Sequence, residues 1–212
     1  MVRALAPRIH APKVANPMHF TKVGLTGGIA AGKSSVAELW RTRGATIIDS
    51  DSLAHATLAP GTPTYRQVVA EFGPDIVNPD GTINRRTLGE IVFNDAARRQ
   101  KLNNIIHPVV RQQWTQALAE TSGVRVVVIP LLFEIGAEAE FDTVVVVGCS
   151  APTQLARLTA KGLTEAQAGA RIRSQWPMQQ KMDRGNFVIW NDGSRAVLDR
   201  QAELIWNKLK EN

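Results

Sequence analysis

Cysteine is almost absent from this sequence, since Cys149 is the only one among 212 residues. A single cysteine excludes an intramolecular disulfide and any zinc site that needs several thiolates. We expect Cys149 to be a small apolar core residue, and we expect a cytoplasmic location, where thiols stay reduced. Long apolar runs are absent too, because none reaches the roughly 18–20 residues of a membrane-spanning helix. No membrane association is therefore expected.

Acidic residues are missing from the first seventeen positions, which carry Arg3, Arg8, Lys13 and three prolines. These three cations supply half of the formal net charge of +6. The other basic residues are interspersed with carboxylates, so the charge favours small anionic substrates over nucleic acid. We predict a disordered extension over residues 1–20, with a transit peptide as the alternative, and one domain over residues 21–212. The assembly that we expect is a monomer or a weak oligomer.

Short apolar runs alternate with helical patterns along the chain, which predicts an α/β fold with a parallel sheet. Five runs rich in β-branched and other apolar residues are the predicted strands: residues 22–26, 45–49, 124–129, 142–149 and 186–191. From Ser52 to Glu120 only helical segments are predicted, broken by turns such as APGTP and NPDGTIN. So long an excursion between strands indicates an inserted helical subdomain.

A glycine-rich segment, GGIAAGKS, lies directly between the first predicted strand and a helix that begins at Lys33. It matches the pattern G-x-x-x-x-G-K-[ST], whose main-chain N–H groups surround the phosphates of ATP. We expect the Lys33 ammonium to reach the β- and γ-phosphates, the Ser34 hydroxyl to bind Mg²⁺ and Ser35 to contact the α-phosphate. The residues predicted to bind ATP in this loop are Gly27, Gly28, Ile29, Ala30, Ala31, Gly32, Lys33, Ser34 and Ser35.

The chain lacks the motifs of two other protein classes that use such loops. The guanine-reading pattern N-K-x-D is absent, and the apolar run VRVVVIP ends in Pro130 rather than in a carboxylate. Both absences favour a small-molecule kinase over a GTPase or a motor ATPase. The carboxylate that handles the metal or the proton must then lie elsewhere in the chain.

The segment IIDSDSLAH (residues 47–55) supplies two carboxylates at the end of a predicted strand. Because parallel strands end at the same edge of a sheet, we expect this segment near the phosphate-binding loop. Asp49 and Asp51 would share a face in extended chain, and one of them could accept the proton of the substrate hydroxyl or position Mg²⁺ through water, so Asp51 is a catalytic candidate and Asp49 a candidate metal ligand. Asp51 could instead cap a helix that starts at Ser52. His55, one helical turn later, either contacts substrate or lies on the surface.

From about Lys22 to Leu209 the chain resembles the dephospho-CoA kinase family. The resemblance rests on the order and spacing of several motifs: GLTGGIAAGKS, GATIIDSDSLAH, FGPDIVNPDGTINRRTLGEIVF, LNNIIHPVVR, IPLLFE, the Q..RL at Gln154–Leu158, ARIRSQWPMQQK and FVIWNDGS. It implies transfer of the γ-phosphate of ATP to the ribose 3′-hydroxyl of dephospho-CoA, the last step of coenzyme A biosynthesis. It also implies a three-layer P-loop kinase core with a parallel sheet, a helical substrate-binding region near residues 60–120 and a helical lid near residues 155–180.

The same resemblance implies roles for individual residues. Asp51 would be the catalytic base, and Arg157 would be the lid arginine that neutralises charge on the transferred phosphoryl group, as an arginine finger does. Asn191, at the end of the last predicted strand, is a candidate nucleotide contact. The residues expected to bind the acceptor substrate are Asp51, His55, Asn84, Arg85, Leu88, Phe93, His107, Leu131, Leu132 and Phe133.

Several of these residues have structural alternatives. Asn84 and Arg85 could simply start a helix. The pair His107–Pro108 is expected to set a bend between two helices rather than to contact substrate. Residues 131–133 could be ordinary core residues, and Arg157 could be an exposed helix arginine.

The chain departs from the family pattern at two places. In RLTAKGL, Lys161 stands where the family often has a second arginine, so Arg171 or Arg173 could share the lid role. Gly185 and Asn186 stand where the family usually has Ala-Asp, which weakens any role for an acid there. Two other functions stay open: phosphorylation of a nucleoside or nucleotide, and nucleotide-dependent regulation or nucleic-acid binding without phosphorylation of a metabolite.

Overall fold

The computed structural model describes residues 20–119 and 123–211, so the predicted N-terminal extension, apart from Phe20, lies outside the described residues. The strands form one sheet in the order β2-β3-β1-β4-β5. They are β1 (Phe20–Gly27), β2 (Thr46–Asp49), β3 (Gly123–Val128), β4 (Thr143–Gly148) and β5 (Phe187–Trp190). β1 pairs in parallel with β3 and with β4, and β4 pairs in parallel with β5. The five predicted strands and the predicted α/β class are confirmed.

Helices connect these strands. Those in the described residues are α1 (Lys33–Thr42), α2 (Ser50–Thr57), α3 (Pro63–Phe72), α4 (Arg85–Asn94), α5 (Ala96–Ala117), α6 (Ala151–Thr159), α7 (Glu165–Arg173), α8 (Met178–Arg184) and α9 (Arg195–Glu211). None of the helices in this part of the chain is long and apolar enough to cross a bilayer.

The centre of the sheet is apolar because β3 and β4, which flank β1, carry runs of valine. Val23 and Leu25 on β1 have no exposed surface, and the register places Leu25 between Val128 on β3 and Val145 on β4. Unbroken apolar runs are typical of parallel strands that are covered on both faces. This buried centre fixes the strand ends from which the loops of the candidate site emerge.

The chain divides into two compact units, one formed by residues up to 48 together with residues from 121 onward, and the other by residues 49–120. The second unit contains α2, α3, α4 and α5, which agrees with the helical segments predicted there. Its own hydrophobic core contains Val68, Phe72, Ile76, Ile83 and Leu88. A separate core lets this unit hold side chains in place independently of the sheet.

Helix α5 differs from its sequence prediction, because it runs without a break from Ala96 to Ala117 with Pro108 in its interior. The predicted division into two helices at His107–Pro108 is therefore wrong. A proline removes one helix hydrogen bond. However, Ile106, Val110 and Trp114 are buried at four-residue spacing along one side of the helix. The burial of this stripe stabilises the helix across the proline.

The polar segment after β4 forms α6 and α7, and the predicted separation at Gly162 is confirmed by its φ of +90°, which favours glycine. The sequence does not predict α8. This helix has only seven residues and follows Pro177 directly, so it is too short for a helical period to stand out.

Candidate active site

The loop between β1 and α1 depends on residues that tolerate unusual backbone angles. Gly27 has φ of +138°, Gly32 has φ of +106° and Ala30 has φ of +57°. A Cβ atom on Gly27 would lie 1.9 Å from the carbonyl oxygen of Val147 on β4, so only glycine can occupy that position. Ala30 accepts a conformation that costs a non-glycine residue about 1 kcal/mol or more. The surrounding contacts must therefore hold it there.

Lys33 contacts the beginning of this loop with its side chain. Its ammonium Nζ donates hydrogen bonds to the carbonyl oxygens of Gly27 at 3.0 Å and Gly28 at 2.8 Å. The lysine thus lies over the turn that its own sequence pattern predicts as the phosphate site. The positive charge is already at the loop, where an anion would meet it.

Arg157 and Asn191, which lie much later in the sequence, both contact the end of the loop. The Arg157 guanidinium Nη1 donates to the carbonyl oxygens of Ala30 at 3.1 Å and Ala31 at 3.4 Å, and Nη2 donates to the Asn191 carbonyl oxygen at 2.8 Å. The Asn191 amide Nδ2 donates to the Ala31 carbonyl oxygen at 2.8 Å. A Cβ atom on Gly32 would lie 2.3 Å from this amide nitrogen. The loop, α6 and the end of β5 therefore form one packed arrangement.

Two glutamines contact the middle of the loop. Gln154 on α6 donates from Nε2 to the Ile29 carbonyl oxygen at 2.8 Å, and Gln175 accepts the Ile29 N–H with Oε1 at 2.8 Å. Sequence reasoning assigned no role to either glutamine, although both lie in motifs that support the family resemblance. Five consecutive carbonyl oxygens, from Gly27 to Ala31, thus each accept a hydrogen bond from a side chain.

The donors of this loop match the chemistry of a polyphosphate with its metal ion. The N-terminus of α1 borders this loop, and the helix dipole makes that end positive. Lys33 adds an ammonium, and the exposed Ser34 adds a hydroxyl oxygen of the kind that Mg²⁺ prefers. Within residues 20–119 and 123–211, no group of three or more His, Cys, Asp or Glu side chains could hold a metal ion.

The ends of β4 and β5 meet beside this loop. Asn191 is buried, and its N–H donates to the Gly148 carbonyl oxygen at 2.7 Å. Cys149 is a buried core residue as predicted, and burial raises the pKa of its thiol, so the thiolate is disfavoured. Burial acts to raise the pKa of Asp192, but hydrogen bonds from Ser150 and Thr153 outweigh it, and the net pKa lies below its ordinary value. Asp192 is therefore a carboxylate at neutral pH.

In the helical unit, the structure corrects the predicted start of α2. Asp49 is the N-cap, because its Oδ1 accepts the Ser52 N–H at 2.9 Å, and the helix begins at Ser50. The expectation that the two aspartates share a face of extended chain is wrong, since Asp51 lies in the first helical turn. The alternative in which Asp51 caps the helix is wrong as well. Asp51 and His55 are both exposed on α2.

The other acceptor-side candidates of the helical unit differ in exposure. Asn84 caps α4 by accepting the Thr87 N–H with its side chain at 3.1 Å, so the helix-start alternative is confirmed for Asn84 and Arg85. Arg85 is exposed and Phe93 is 60% exposed, whereas Leu88 is in the core of the unit. His107 is half-buried in α5, and desolvation lowers the pKa of its imidazole. Arg85 and Phe93 can reach a ligand directly, and Leu88 cannot without rearrangement.

The segment after β3 places its apolar residues mainly inside the protein. Leu131 is 37% exposed, whereas Leu132 is fully buried and Phe133 nearly so. The Phe133 ring stacks on Trp176, with centroids 6.5 Å apart and an angle of 11° between the rings. The Arg184 guanidinium carbon lies 5.8 Å from the Phe133 centroid and 5.5 Å from the Trp176 centroid. This segment is therefore packed against the chain that follows α7.

At the positions where the chain departs from the family pattern, Asn186 has a structural role. Its N–H donates to the Val144 carbonyl oxygen at 2.8 Å, and its side-chain Oδ1 accepts the Val144 N–H at 2.8 Å. Asn186 thus extends the backbone pairing of β4. Lys161, Arg171 and Arg173, the other basic residues considered for the lid, are all exposed.

A buried ion pair that the sequence does not predict lies behind the segment after β3. The Lys181 side chain is fully buried, and its Nζ lies 2.7 Å from Glu134 Oε1 and donates to the Pro130 carbonyl oxygen at 3.0 Å. The same carboxylate oxygen accepts the Trp176 N–H at 3.0 Å. Glu134 Oε2 is buried without a hydrogen-bond partner in the described residues. The ion pair of Lys181 and Glu134 thus links the segment after β3 to α8, and Glu134 also links it to Trp176.

Removing one partner of this pair should strongly destabilise the fold. We expect Lys181→Met to lower the free energy of unfolding by about 3–5 kcal/mol, because it leaves the Glu134 charge buried without its partner. Urea unfolding followed by circular dichroism measures this loss. Arg195→Met is the matched control, since its pair with Asp199 is exposed and should be worth less than about 1 kcal/mol. Equal, small losses in both variants would contradict the assigned importance of the buried pair.

Comparisons with known proteins relate this arrangement to one family. A family model described as dephospho-CoA kinase matches residues 21–196. A dephospho-CoA kinase of Geobacillus kaustophilus is 46% identical over 198 residues, which cover 89% of this chain and 98% of that protein. The solved structure of a Thermus thermophilus protein matches with a TM-score of 0.78 and 32% identity, over 90% of this chain and 98% of the other. A dephospho-CoA kinase structure from Campylobacter jejuni matches with a TM-score of 0.62 and 25% identity, over 92% of this chain and 100% of the other.

Proposed function

The chain belongs to the dephospho-CoA kinase family, and from this membership we infer that it transfers the terminal phosphate of ATP to dephospho-CoA. The products are coenzyme A and ADP, the acceptor group is the ribose 3′-hydroxyl, and the reaction is the terminal step of coenzyme A biosynthesis. The observation that carries this conclusion is the family match over residues 21–196, which spans every motif on which the resemblance rests.

We propose that residues 27–35 bind the phosphates of ATP. The support is the loop geometry, in which side chains hold the carbonyl oxygens and the helix N-terminus supplies N–H donors. Lys33 would approach the β- and γ-phosphates, and Ser35 would approach the α-phosphate. Mg²⁺ would be held by Ser34 and, through water, by Asp49, and when bound it neutralises charge on the transferring phosphoryl group.

We propose Asp51 as the base that accepts the proton of the acceptor hydroxyl. It is an exposed carboxylate two residues beyond the end of β2, and it lies in one of the motifs that support family membership. His55 follows one helical turn later and is exposed, so we propose that it contacts the acceptor. A carboxylate suits this step, since its ionised form can accept a proton at neutral pH.

The remaining acceptor-side candidates are proposed to act according to their exposure. Arg85 offers a cation for the diphosphate of dephospho-CoA, and Phe93 offers an exposed ring for its apolar part. The half-buried or buried candidates would shape the binding surface rather than reach far into solvent. They are Asn84, Leu88, His107, Leu132 and Phe133, with the partly exposed Leu131 beside them.

Two residues at the nucleotide side complete the proposal. We propose that Arg157 acts on the phosphates from its position against the loop, where its guanidinium charge lies next to Ala30 and Ala31. Asn191 is proposed to lie at the nucleotide because it contacts the end of the same loop. We further propose a cytoplasmic enzyme, monomeric or weakly associated, that binds no nucleic acid. The buried, lone Cys149 supports a reducing compartment.

The function is tested by ADP release from the purified protein in a coupled assay. We expect turnover that requires ATP, Mg²⁺ and dephospho-CoA together, since each supplies one part of the phosphoryl-transfer complex. Chelation of the metal with EDTA should abolish turnover, and excess Mg²⁺ should restore it. DNA or RNA should have no effect. ADP release that proceeds equally well without dephospho-CoA, or better with a nucleoside acceptor, would refute the assigned substrate.

A further inference from the structure

Ile29 is contacted at both of its main-chain polar groups by glutamine side chains. Gln154 on α6 donates to the Ile29 carbonyl oxygen, and Gln175, which lies just after α7, accepts the Ile29 N–H, both at 2.8 Å. We call this pair of contacts the amide clamp. The two glutamines reach the loop from positions 125 and 146 residues further along the chain.

Because a trans peptide is planar, a contact that holds a carbonyl oxygen also fixes the direction of the next residue's N–H. In a trans peptide the C=O of one residue and the N–H of the next point in opposite directions. Gln154, by holding the Ile29 carbonyl on one side, therefore turns the Ala30 N–H to the other. Lys33 does the same one residue earlier, since its bond to the Gly28 carbonyl oxygen turns the Ile29 N–H towards Gln175.

The amide clamp also helps to hold the backbone of Ala30 at its positive φ. The peptide between Ile29 and Ala30 precedes the only non-glycine residue with positive φ in the described residues. Without an external contact, a non-glycine residue leaves this region of backbone angles readily. Gln154 on the Ile29 oxygen and Arg157 on the Ala30 oxygen fix the peptides on either side of that residue.

Space and burial show that the Gln154 contact is built into the packing. Gln154 is 5% exposed, so its amide would lose hydrogen bonding without compensation from water if the contact broke. A Cβ atom on Gly28 would lie 2.4 Å from Gln154 Nε2, so the glycine makes room for the glutamine. Gln175 is held in place by its neighbour, because the Trp176 N–H donates to Glu134 Oε1.

We propose that Gln154 and Gln175 are positioning residues that orient the two peptides on either side of Ile29, Gln154 through the Ile29 carbonyl oxygen and Gln175 through the Ile29 N–H, so that the Ala30 N–H donates to the phosphates of ATP. Neither glutamine touches the nucleotide in this role. The proposal rests on the proposed binding of ATP by residues 27–35. It predicts an effect on nucleotide binding that leaves binding of the acceptor unchanged.

The experiment uses Gln154→Met and Gln175→Met, which keep side-chain length and remove the amide. Gln179→Met is the matched control, because Gln179 is exposed on the neighbouring α8 and its amide donates to the exposed Asp183. Calorimetric titration with ADP and Mg²⁺ gives the Kd without any acceptor, and steady-state assays give KM for ATP and for dephospho-CoA. We expect each clamp variant to raise the Kd for ADP and the KM for ATP on the order of tenfold. The control should change neither.

The double variant separates a clamp from two independent contacts. Because both glutamines act on one residue, the double variant should lose little more than either single variant. ADP affinity within twofold of wild type in both single variants would overturn the proposal, as would a rise in both KM values together with a lower Tm. A wild-type protein that binds ADP but does not phosphorylate dephospho-CoA would refute the proposed substrate. The amide clamp would then still be tested by the Kd for ADP of the variants relative to wild type.

Discussion

Lys33→Ala should reduce phosphoryl transfer by about 10³-fold or more while the fold stays intact, the scale of losing a charge that stabilises a transferring phosphoryl group. The ammonium is already at the loop, where it donates to the carbonyl oxygens of Gly27 and Gly28. With ATP bound, it would lie beside the phosphates whose charge increases as the bond to the leaving group breaks. Coupled ADP release measures the turnover, and thermal unfolding reports whether the fold is retained.

Lys210→Ala is the matched control for this experiment. It removes the same side chain from an exposed position in the last turn of α9. We expect at most a few-fold effect on turnover from the control, since an exposed surface charge contributes little. Near-normal turnover of Lys33→Ala would rule out residues 27–35 as the ATP site.

Asp51→Asn should lower kcat by about 10²–10⁴-fold with a much smaller change in KM for dephospho-CoA. Asparagine keeps the size of the side chain and its ability to hydrogen-bond, but it cannot accept the proton of the acceptor hydroxyl. Because Asp51 lies in the first turn of α2, the loss of its negative charge costs the helix only about 0.3–1 kcal/mol. A factor of 10²–10⁴ in kcat corresponds to about 3–5 kcal/mol, which is larger than this helix-dipole contribution.

Asp49→Asn is the comparison variant, because it tests a role in positioning Mg²⁺ rather than a role as the base. Asparagine caps helices as well as aspartate does, so the hydrogen bond from the Ser52 N–H should survive. We expect this variant to need more Mg²⁺ for half-maximal turnover and to keep a higher kcat than Asp51→Asn at saturating metal. If Asp51→Asn altered only KM for the acceptor, Asp51 would be a binding residue and not the base.

The sheet and the loop could be predicted because short stretches of sequence determine them. The consecutive valines at 126–128 in β3 and 144–147 in β4 leave no polar face in those stretches, which favours buried strands. The glycines at positions 27 and 32 are required by local backbone angles, and the pattern around them has few other uses. In both cases the physical cause lies within a few residues of its effect.

The start of α2 and the course of α5 were harder to predict because small energies decide them. Asp49 and Asp51 are both good capping residues, and the structure uses the first. Pro108 favours a break, but the buried stripe of Ile106, Val110 and Trp114 outweighs the lost hydrogen bond. A helix end or a kink depends on about 1–3 kcal/mol, which tertiary packing easily exceeds.

The contacts of Gln154, Gln175 and Lys181 could not be predicted from local sequence at all. Each joins positions at least 47 residues apart, the separation of Lys181 and Glu134. Lysine and glutamine are exposed in most proteins, so no pattern indicates that Lys181 is buried and Gln154 almost so. Only the packed structure shows that these polar side chains point inward.

Side chains donate hydrogen bonds to all five carbonyl oxygens from Gly27 to Ala31, and these bonds order the loop before nucleotide binds. The donors are Lys33, Gln154, Arg157 and Asn191, which come from three helical or strand-end positions around the loop. The proposed anion site is thus preorganised when the chain folds, and we expect ATP to lose little affinity to ordering of the loop. Mutations in α6 or at the end of β5 should therefore weaken nucleotide affinity without touching the phosphates, because they make the loop less ordered in the nucleotide-free protein.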